Sequence, residues 1–166
     1  MNNLYEIPYV QEHNFEFNML GAINFELLTL GENAREGHKF RYLIGCNIFS
    51  AFRLECLCNI FGNMLFTDWE NKYERNKLIQ KVKIISRELS INESDIELKI
   101  IQDIIDFRKE IAHLKPYKRD EKNTIKYSPE QARLYYKKID ELFSIWNIAY
   151  KTYKNNINCL SVEEIK

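Results

Sequence analysis

Apolar residues recur along most of the chain at the three- and four-residue spacing of amphipathic helices. The pattern predicts helices over residues 14–30, 38–64, 69–89, 95–114 and 129–154. The second segment carries apolar residues around more than half of its circumference, which predicts the most buried helix. Only five glycines and three prolines interrupt these segments. The expected fold is therefore an all-α, up-and-down bundle of about five helices.

The length of the chain and its few glycines and prolines predict one domain that spans residues 1–166. Pro8 interrupts the first polar stretch, so residues 1–13 are expected to form an irregular lead-in. Residues 155–166 follow the last apolar stripe and are expected to form a loose tail.

Thr67 or Asp68 can cap the third predicted helix, and two later helix starts also carry capping patterns. Ser94 and Glu97 have the spacing of a capping box, which predicts that the fourth helix begins near Asp95. Ser128 directly precedes Pro129, so the last helix is predicted to start with a serine N-cap and a proline at its first position.

Charge and hydropathy exclude several classes of protein. Lys plus Arg and Asp plus Glu each number 24, so no global positive field attracts nucleic acid, and any RNA contact must come from a local patch. The N-terminus lacks the features of a signal peptide. No uncharged apolar run approaches the ~20 residues that a membrane-spanning helix needs. We therefore expect a cytoplasmic protein that does not contact a membrane.

The cysteines and histidines do not form a recognisable metal-binding pattern. Cys56 and Cys58 point to different faces of a helix, and no second pair completes a zinc site. His13 and His38 lie in polar flanks without nearby candidate ligands. We expect buried free thiols, no metal and no other cofactor.

The stretch from Ile104 to Pro116 places an arginine and a histidine near the end of one helix. Pro116 disfavours helical geometry in the residue before it, so this helix is expected to end near His113 or Leu114. Arg108 and His113 are separated by about 140° around the helix. Fraying of the last turn or pairing of two chains would bring them to one phosphate.

These two residue types suit metal-free cleavage of RNA, in which a 2′-hydroxyl attacks the neighbouring phosphate. Histidine titrates near neutral pH and can transfer the proton, whereas arginine binds phosphate oxygens bidentately. The structural alternative for His113 is stabilisation of the helix end by its charge.

A basic segment around and after this helix end is a candidate RNA-binding surface. Lys109, Lys115 and Lys118 supply positive charge, and Tyr117 could stack on a base. The alternative is a solvated loop without a binding role.

Arg53 and Glu55 interrupt the apolar surface of the second helix. The preferred expectation places both at the solvent edge of the bundle. The alternative turns Glu55 inward as a supporting polar partner of Arg108, because a buried charge must be paired.

Arg108, four intervening residues and His113 at the end of an amphipathic helix resemble the signature of the HEPN superfamily (higher eukaryotes and prokaryotes nucleotide-binding domains). The resemblance covers about residues 38–155, including the two preceding helices. It implies a HEPN-like bundle that acts as a metal-independent endoribonuclease, as a toxin or antiphage defence effector. Arg108 would stabilise the phosphorane and His113 would handle the proton. Because the Arg and His of two chains or repeats face each other in active HEPN proteins, it also implies a homodimer.

Two positions depart from the family pattern. Lys109 stands where the family commonly has a small polar residue, so the alternative function is a non-catalytic HEPN-like module that binds nucleotide, RNA or a partner protein. Some family toxins carry a tyrosine two residues after the histidine, which a partner nucleotidyltransferase modifies. Here Lys115 occupies that place, and Tyr117 lies two residues further on. The expected partners are RNA, a second copy of the chain and an antitoxin or nucleotidyltransferase. The third hypothesis is a structural bundle with an accidental motif.

Overall fold

The computed structural model describes residues 8–112 and 128–163, with side chains described over residues 15–112 and 128–156. This part of the chain forms six α-helices and one short 3₁₀ turn, and it contains no strand. In chain order the helices are α1 (Pro8–Asn33), α2 (Glu36–Leu65), α3 (Trp69–Tyr73), α4 (Leu78–Glu88), α5 (Leu98–Ala112) and α6 (Pro129–Glu163). The predicted all-α class is confirmed.

Helix α2 is the centre of the bundle and contacts each of the other five α-helices. Its buried face meets apolar residues of α4, α5 and α6 in one core. Members of that core include Leu54, Leu57, Phe61, Val82, Ile85, Ile101, Ile104, Ile139 and Trp146. Full burial of one such side chain contributes about 1.5–3 kcal/mol, so the core fixes the position of α5 against α2.

Helices α1 and α2 form an antiparallel pair with a short connection. The Asn24 side-chain amide donates a hydrogen bond to Ser50 Oγ at 2.9 Å. Further along the pair, a Cβ atom added at Gly31 would lie only 2.5 Å from Leu43 Cδ2. Glycine at this position therefore allows α1 and α2 to approach each other closely. Helix α1 continues through Gly31 to Asn33, past its predicted end at Leu30.

Helices α1 and α6 extend beyond their predicted outer ends. Helix α1 begins at Pro8, within the stretch expected to be irregular, because proline is favoured at the first helical position. Helix α6 continues to Glu163, past the predicted end at residue 154. Its length follows from the absence of glycine or proline after Pro129.

The third predicted helix is two helices in the structure. Helix α3 ends at Tyr73 and α4 starts at Leu78. The backbone N–H of Lys77 donates to Gln80 Oε1 at 3.2 Å. This contact supports a new helix start, which the continuous apolar pattern did not indicate.

The predicted caps differ in outcome. Asp68 precedes α3 but makes no side-chain capping hydrogen bond. Ser94 donates to Asp95, not to the backbone of a following residue, and Glu97 has a left-handed φ of 45°. The predicted capping box is therefore absent, and α5 begins only after Glu97. The predicted cap of α6 is present, since the Gln131 backbone N–H donates to Ser128 Oγ at 3.1 Å.

Among the described helices, α2 is the one that is long and apolar enough to cross a membrane by length and composition. In its most apolar window, 56% is buried inside the bundle. The core helix of a helical bundle has the same properties, so this feature is weak evidence for a membrane span.

Candidate functional site

Arg108 lies on α5, one turn before the last described residue of that helix. Its neighbour Phe107 is buried, which places Arg108 at the edge of the buried face. Arg108 Nη1 donates to Glu55 Oε2 at 2.6 Å, and the guanidinium carbon lies 4.9 Å from the centre of the Phe52 ring. Two residues of α2 therefore hold the guanidinium in place.

The ion pair between Arg108 and Glu55 is open to solvent. The exposed fractions of the two side chains are 39% and 40%. An ion pair of this kind contributes about 0–1 kcal/mol to stability, so a phosphate group can compete for the guanidinium. Glu55 therefore lies at the solvent edge, as the preferred expectation has it, and is also the partner of Arg108, as the alternative has it.

Lys109 lies about 100° around the helix from Arg108 and has a different partner. Its ammonium donates to Asp106 Oδ1 at 3.0 Å, and Gln102 also donates to that oxygen. These hydrogen bonds, led by that of Lys109, hold the pKa of the Asp106 carboxyl below its usual range. Part of the positive charge expected of Lys109 is therefore compensated.

The other predicted site residues lie outside the described residues: His113, Lys115, Tyr117 and Lys118. Their positions relative to Arg108 stay predictions. In the part of the chain that is described, the structure brings together Arg108 and Glu55 and places Lys109 on the adjoining surface.

A groove of about 740 Å³ lies beside the ion pair, between α1, α2, α3 and α4. Phe52 and Glu55 belong both to the groove wall and to the surroundings of Arg108. The lining residues are Glu16, Met19, Leu20, Phe52, Glu55, Cys56, Asn59, Ile60, Asn63, Trp69, Glu70, Glu74 and Lys81. Its volume is in the range of ligand-binding clefts, about 300–1,000 Å³.

The electrostatics of the groove disfavour phosphate. Four glutamates line it, against a single lysine whose residue is 5% exposed. A phosphate group would therefore reach Arg108 more favourably from the C-terminal end of α5 than along the groove. Sequence reasoning missed the groove because α3 was not recognised as a separate helix.

Arg53 corrects one expectation from the sequence. It does not lie at the solvent edge but is 3% exposed, and Nη2 donates to Asp140 Oδ1 of α6 at 2.6 Å. The guanidinium carbon lies 4.6 Å from the Phe17 ring centre and 5.0 Å from that of Tyr136. Since these groups of α1 and α6 enclose it, Arg53 joins three helices and is closed to ligands.

The three described cysteines are free thiols and poor nucleophiles. Burial raises the pKa of Cys46 to about 12 and that of Cys56 to about 11, and it raises the pKa of Cys58 as well. Thiols with such pKa values stay protonated at neutral pH. Over the described residues, no group of three or more His, Cys, Asp or Glu side chains is placed to hold a metal ion.

The link to the HEPN superfamily depends on the motif residues, and membership stays a prediction. The chain matches no protein-family model, and searches of curated proteins and of solved structures returned no significant match.

Proposed function

We propose that the protein is a metal-independent endoribonuclease of the HEPN type, which acts as a homodimer and serves as a toxin or defence effector. The observation that carries this proposal is the state of Arg108. Its guanidinium is held by Glu55 and by the Phe52 ring, yet it is 39% exposed near the end of α5. A positioned guanidinium that solvent can reach is suited to binding phosphate oxygens bidentately.

In the proposed reaction, the 2′-oxygen of a ribose bonds to the adjacent phosphorus and the bond from phosphorus to the 5′-oxygen breaks. Arg108 stabilises the negative charge that builds up on the phosphorane. His113 of one protomer removes the 2′-hydroxyl proton, and His113 of the second protomer protonates the leaving 5′-oxygen. The products carry a 2′,3′-cyclic phosphate and a 5′-hydroxyl.

A second candidate function is supported by the charges around the motif. Glu55 already pairs with Arg108, and Asp106 pairs with Lys109, so both cations have carboxylate partners. This arrangement favours a non-catalytic module that binds nucleotide, RNA or a partner protein, because a cation already paired with a carboxylate gives less stabilisation to the extra negative charge that builds up on a phosphorane.

Histidine and arginine variants test the catalytic proposal. Purified protein is incubated with a mixture of single-stranded RNA and tRNA in excess EDTA, and cleavage is compared for wild type, His113→Ala and Arg108→Gln. Loss of general acid–base catalysis is expected to slow cleavage by roughly 10²-fold or more in His113→Ala. The control is His38→Ala, an exposed histidine on α2 near Arg41, which is expected to cleave at the wild-type rate.

Substitution of Glu55 separates the two candidate functions. Glu55→Gln removes the charge that competes with phosphate for Arg108, so RNA is expected to bind up to about fivefold more tightly in both cases. A ribonuclease shows this change as a lower KM with cleavage retained. A binding module shows the same gain in affinity without any cleavage. Weaker RNA binding by Glu55→Gln would contradict both readings.

A further inference from the structure

The groove beside Arg108 has an apolar floor built on two helices. Phe52, Cys56 and Ile60 follow one another at four-residue intervals along α2 and form a ridge. Met19 and Leu20 of α1 face the same space. Met19 and Phe52 are 45% and 38% exposed, which is high for large apolar side chains that line a cleft. A ridge with this spacing is the surface into which another helix packs.

The rim of the groove is acidic. Glu16 lies on α1, Glu55 on α2, and Glu70 with the nearby Glu74 at α3. The chain as a whole has a formal net charge of zero, so this negative charge is a local property of the groove. It selects a positively charged occupant.

Lys81 places one hydrogen-bond donor in the groove. Its side chain lines the groove while the residue is 5% exposed, and its ammonium makes no hydrogen bond or ion pair within the described residues. The ammonium is therefore a donor that is open to an acceptor within the groove. A carbonyl oxygen of a docked peptide would satisfy it, as the free carbonyls at a helix C-terminus can do.

We propose that the groove binds a short, basic amphipathic helix of a partner protein. The apolar side chains of that helix pack on the ridge of α2, its lysines or arginines pair with the exposed Glu70 and Glu74, and a carbonyl at its C-terminal end accepts from Lys81. The ridge from Phe52 to Ile60 extends about 12 Å, so two to three turns of the partner helix are enough to cover it. A nucleic-acid strand fits this surface poorly, because its phosphates would meet four carboxylates.

A designed peptide tests this proposal on the full-length chain. The probe is a fluorescein-labelled 14-residue helix with leucines at positions i, i+3, i+4 and i+7 and lysines on the opposite face, and binding is followed by fluorescence anisotropy. A second peptide carries glutamates in place of the lysines. The lysine peptide is expected to bind saturably and the glutamate peptide at least tenfold more weakly.

Two double variants locate the binding surface. Glu70→Gln with Glu74→Gln removes two exposed rim charges and is expected to weaken binding of the lysine peptide by roughly fivefold. Glu26→Gln with Asp103→Asn removes two exposed carboxylates outside the groove and is expected to leave binding within about twofold of wild type. Met19→Ser is expected to weaken binding as well, through loss of apolar contact.

Three results would overturn the proposal: no saturable binding of the lysine peptide, equal losses in the groove and control variants, or RNA binding that depends on Glu70 and Glu74. Circular dichroism of each variant confirms that the helical fold is retained. None of these measurements depends on ribonuclease activity, so the docking site and the catalytic proposal can fail separately.

Discussion

The ion pair between the buried Arg53 and the partly exposed Asp140 gives the sharpest prediction about stability. Asp140→Asn keeps the shape of the side chain but removes the charge that faces a guanidinium with 3% exposure. Arg53 Nε and Nη1 already lack hydrogen-bond partners among the described residues. The variant therefore leaves a buried cation whose remaining stabilisation comes from the rings of Phe17 and Tyr136 and from a weaker hydrogen bond to the asparagine.

The size of the effect follows from the exposure of the two partners. Removal of one partner of a fully buried pair costs about 3–5 kcal/mol, whereas an exposed pair contributes about 0–1 kcal/mol. Arg53 is buried but the Asp140 side chain is 45% exposed, and asparagine can still accept a weaker hydrogen bond. We expect Asp140→Asn to lower the free energy of unfolding by about 2 kcal/mol, between those two limits. For a chain of this length, that corresponds to a decrease in Tm of roughly 4–8 °C.

Urea denaturation followed by circular dichroism measures this change. The matched control is Glu32→Gln, which breaks the ion pair with Arg133, where the side chains are 30% and 47% exposed, and which is expected to cost less than about 1 kcal/mol. High salt should reduce the effect of Glu32→Gln more than that of Asp140→Asn, because the Arg53 guanidinium is buried and its interaction with Asp140 is screened less. Equal losses in the two variants would refute the reasoning.

Two further predictions concern the core. A Cβ atom at Gly62 would lie 2.1 Å from Trp69 Cε2. Gly62→Ala is therefore expected to lower the free energy of unfolding by about 2 kcal/mol, despite the better helix propensity of alanine. Gly37→Ala is the control in the same urea assay and should be neutral or stabilising, because a Cβ atom there would have nothing within 4 Å. Unfolded thiols ionise near pH 8.5, while burial raises the pKa of Cys46 to about 12 and that of Cys56 to about 11. The stability from these protonated thiols is therefore fully present below about pH 8.5 and is lost as the pH rises through about 11 for Cys56 and about 12 for Cys46. Mass-spectrometric mapping after iodoacetamide treatment at pH 8 should find Cys46 and Cys58 unlabelled in the native protein and labelled in urea; labelling in the native state would contradict the buried placement.

Local pattern predicted most of the helices and the cap of α6, but not the caps of α3 and α5. Apolar periodicity identified α2 as the most buried helix, and the order of Ser128 and Pro129 gave the start of α6. Both depend on residues close together in sequence. The same signal missed the break between Tyr73 and Leu78, because the apolar spacing continues through it and the contact that starts α4 involves only a side-chain oxygen of Gln80.

Features that depend on distant residues were harder to predict. The environment of Arg53 requires Phe17, Tyr136 and Asp140 from two other helices, and a charged residue on an apolar face gives no sign of such partners. The groove likewise exists because α1, α2, α3 and α4 meet at one place. The sequence suggested the pairing of Arg108 with Glu55 as an alternative, because both are charged residues on largely apolar helix faces. The exposed fractions of the two side chains could not be predicted, because they depend on how the helices pack.

The end groups of RNA fragments produced in excess EDTA test the central proposal most directly. Mass spectrometry of the products is compared for wild type and His113→Ala, with His38→Ala as the control. Metal-independent cleavage through Arg108 and His113 predicts 2′,3′-cyclic phosphate and 5′-hydroxyl ends from wild type and the control, and intact RNA from His113→Ala. Intact RNA from a folded wild-type dimer, or unchanged cleavage by His113→Ala, would contradict the ribonuclease mechanism.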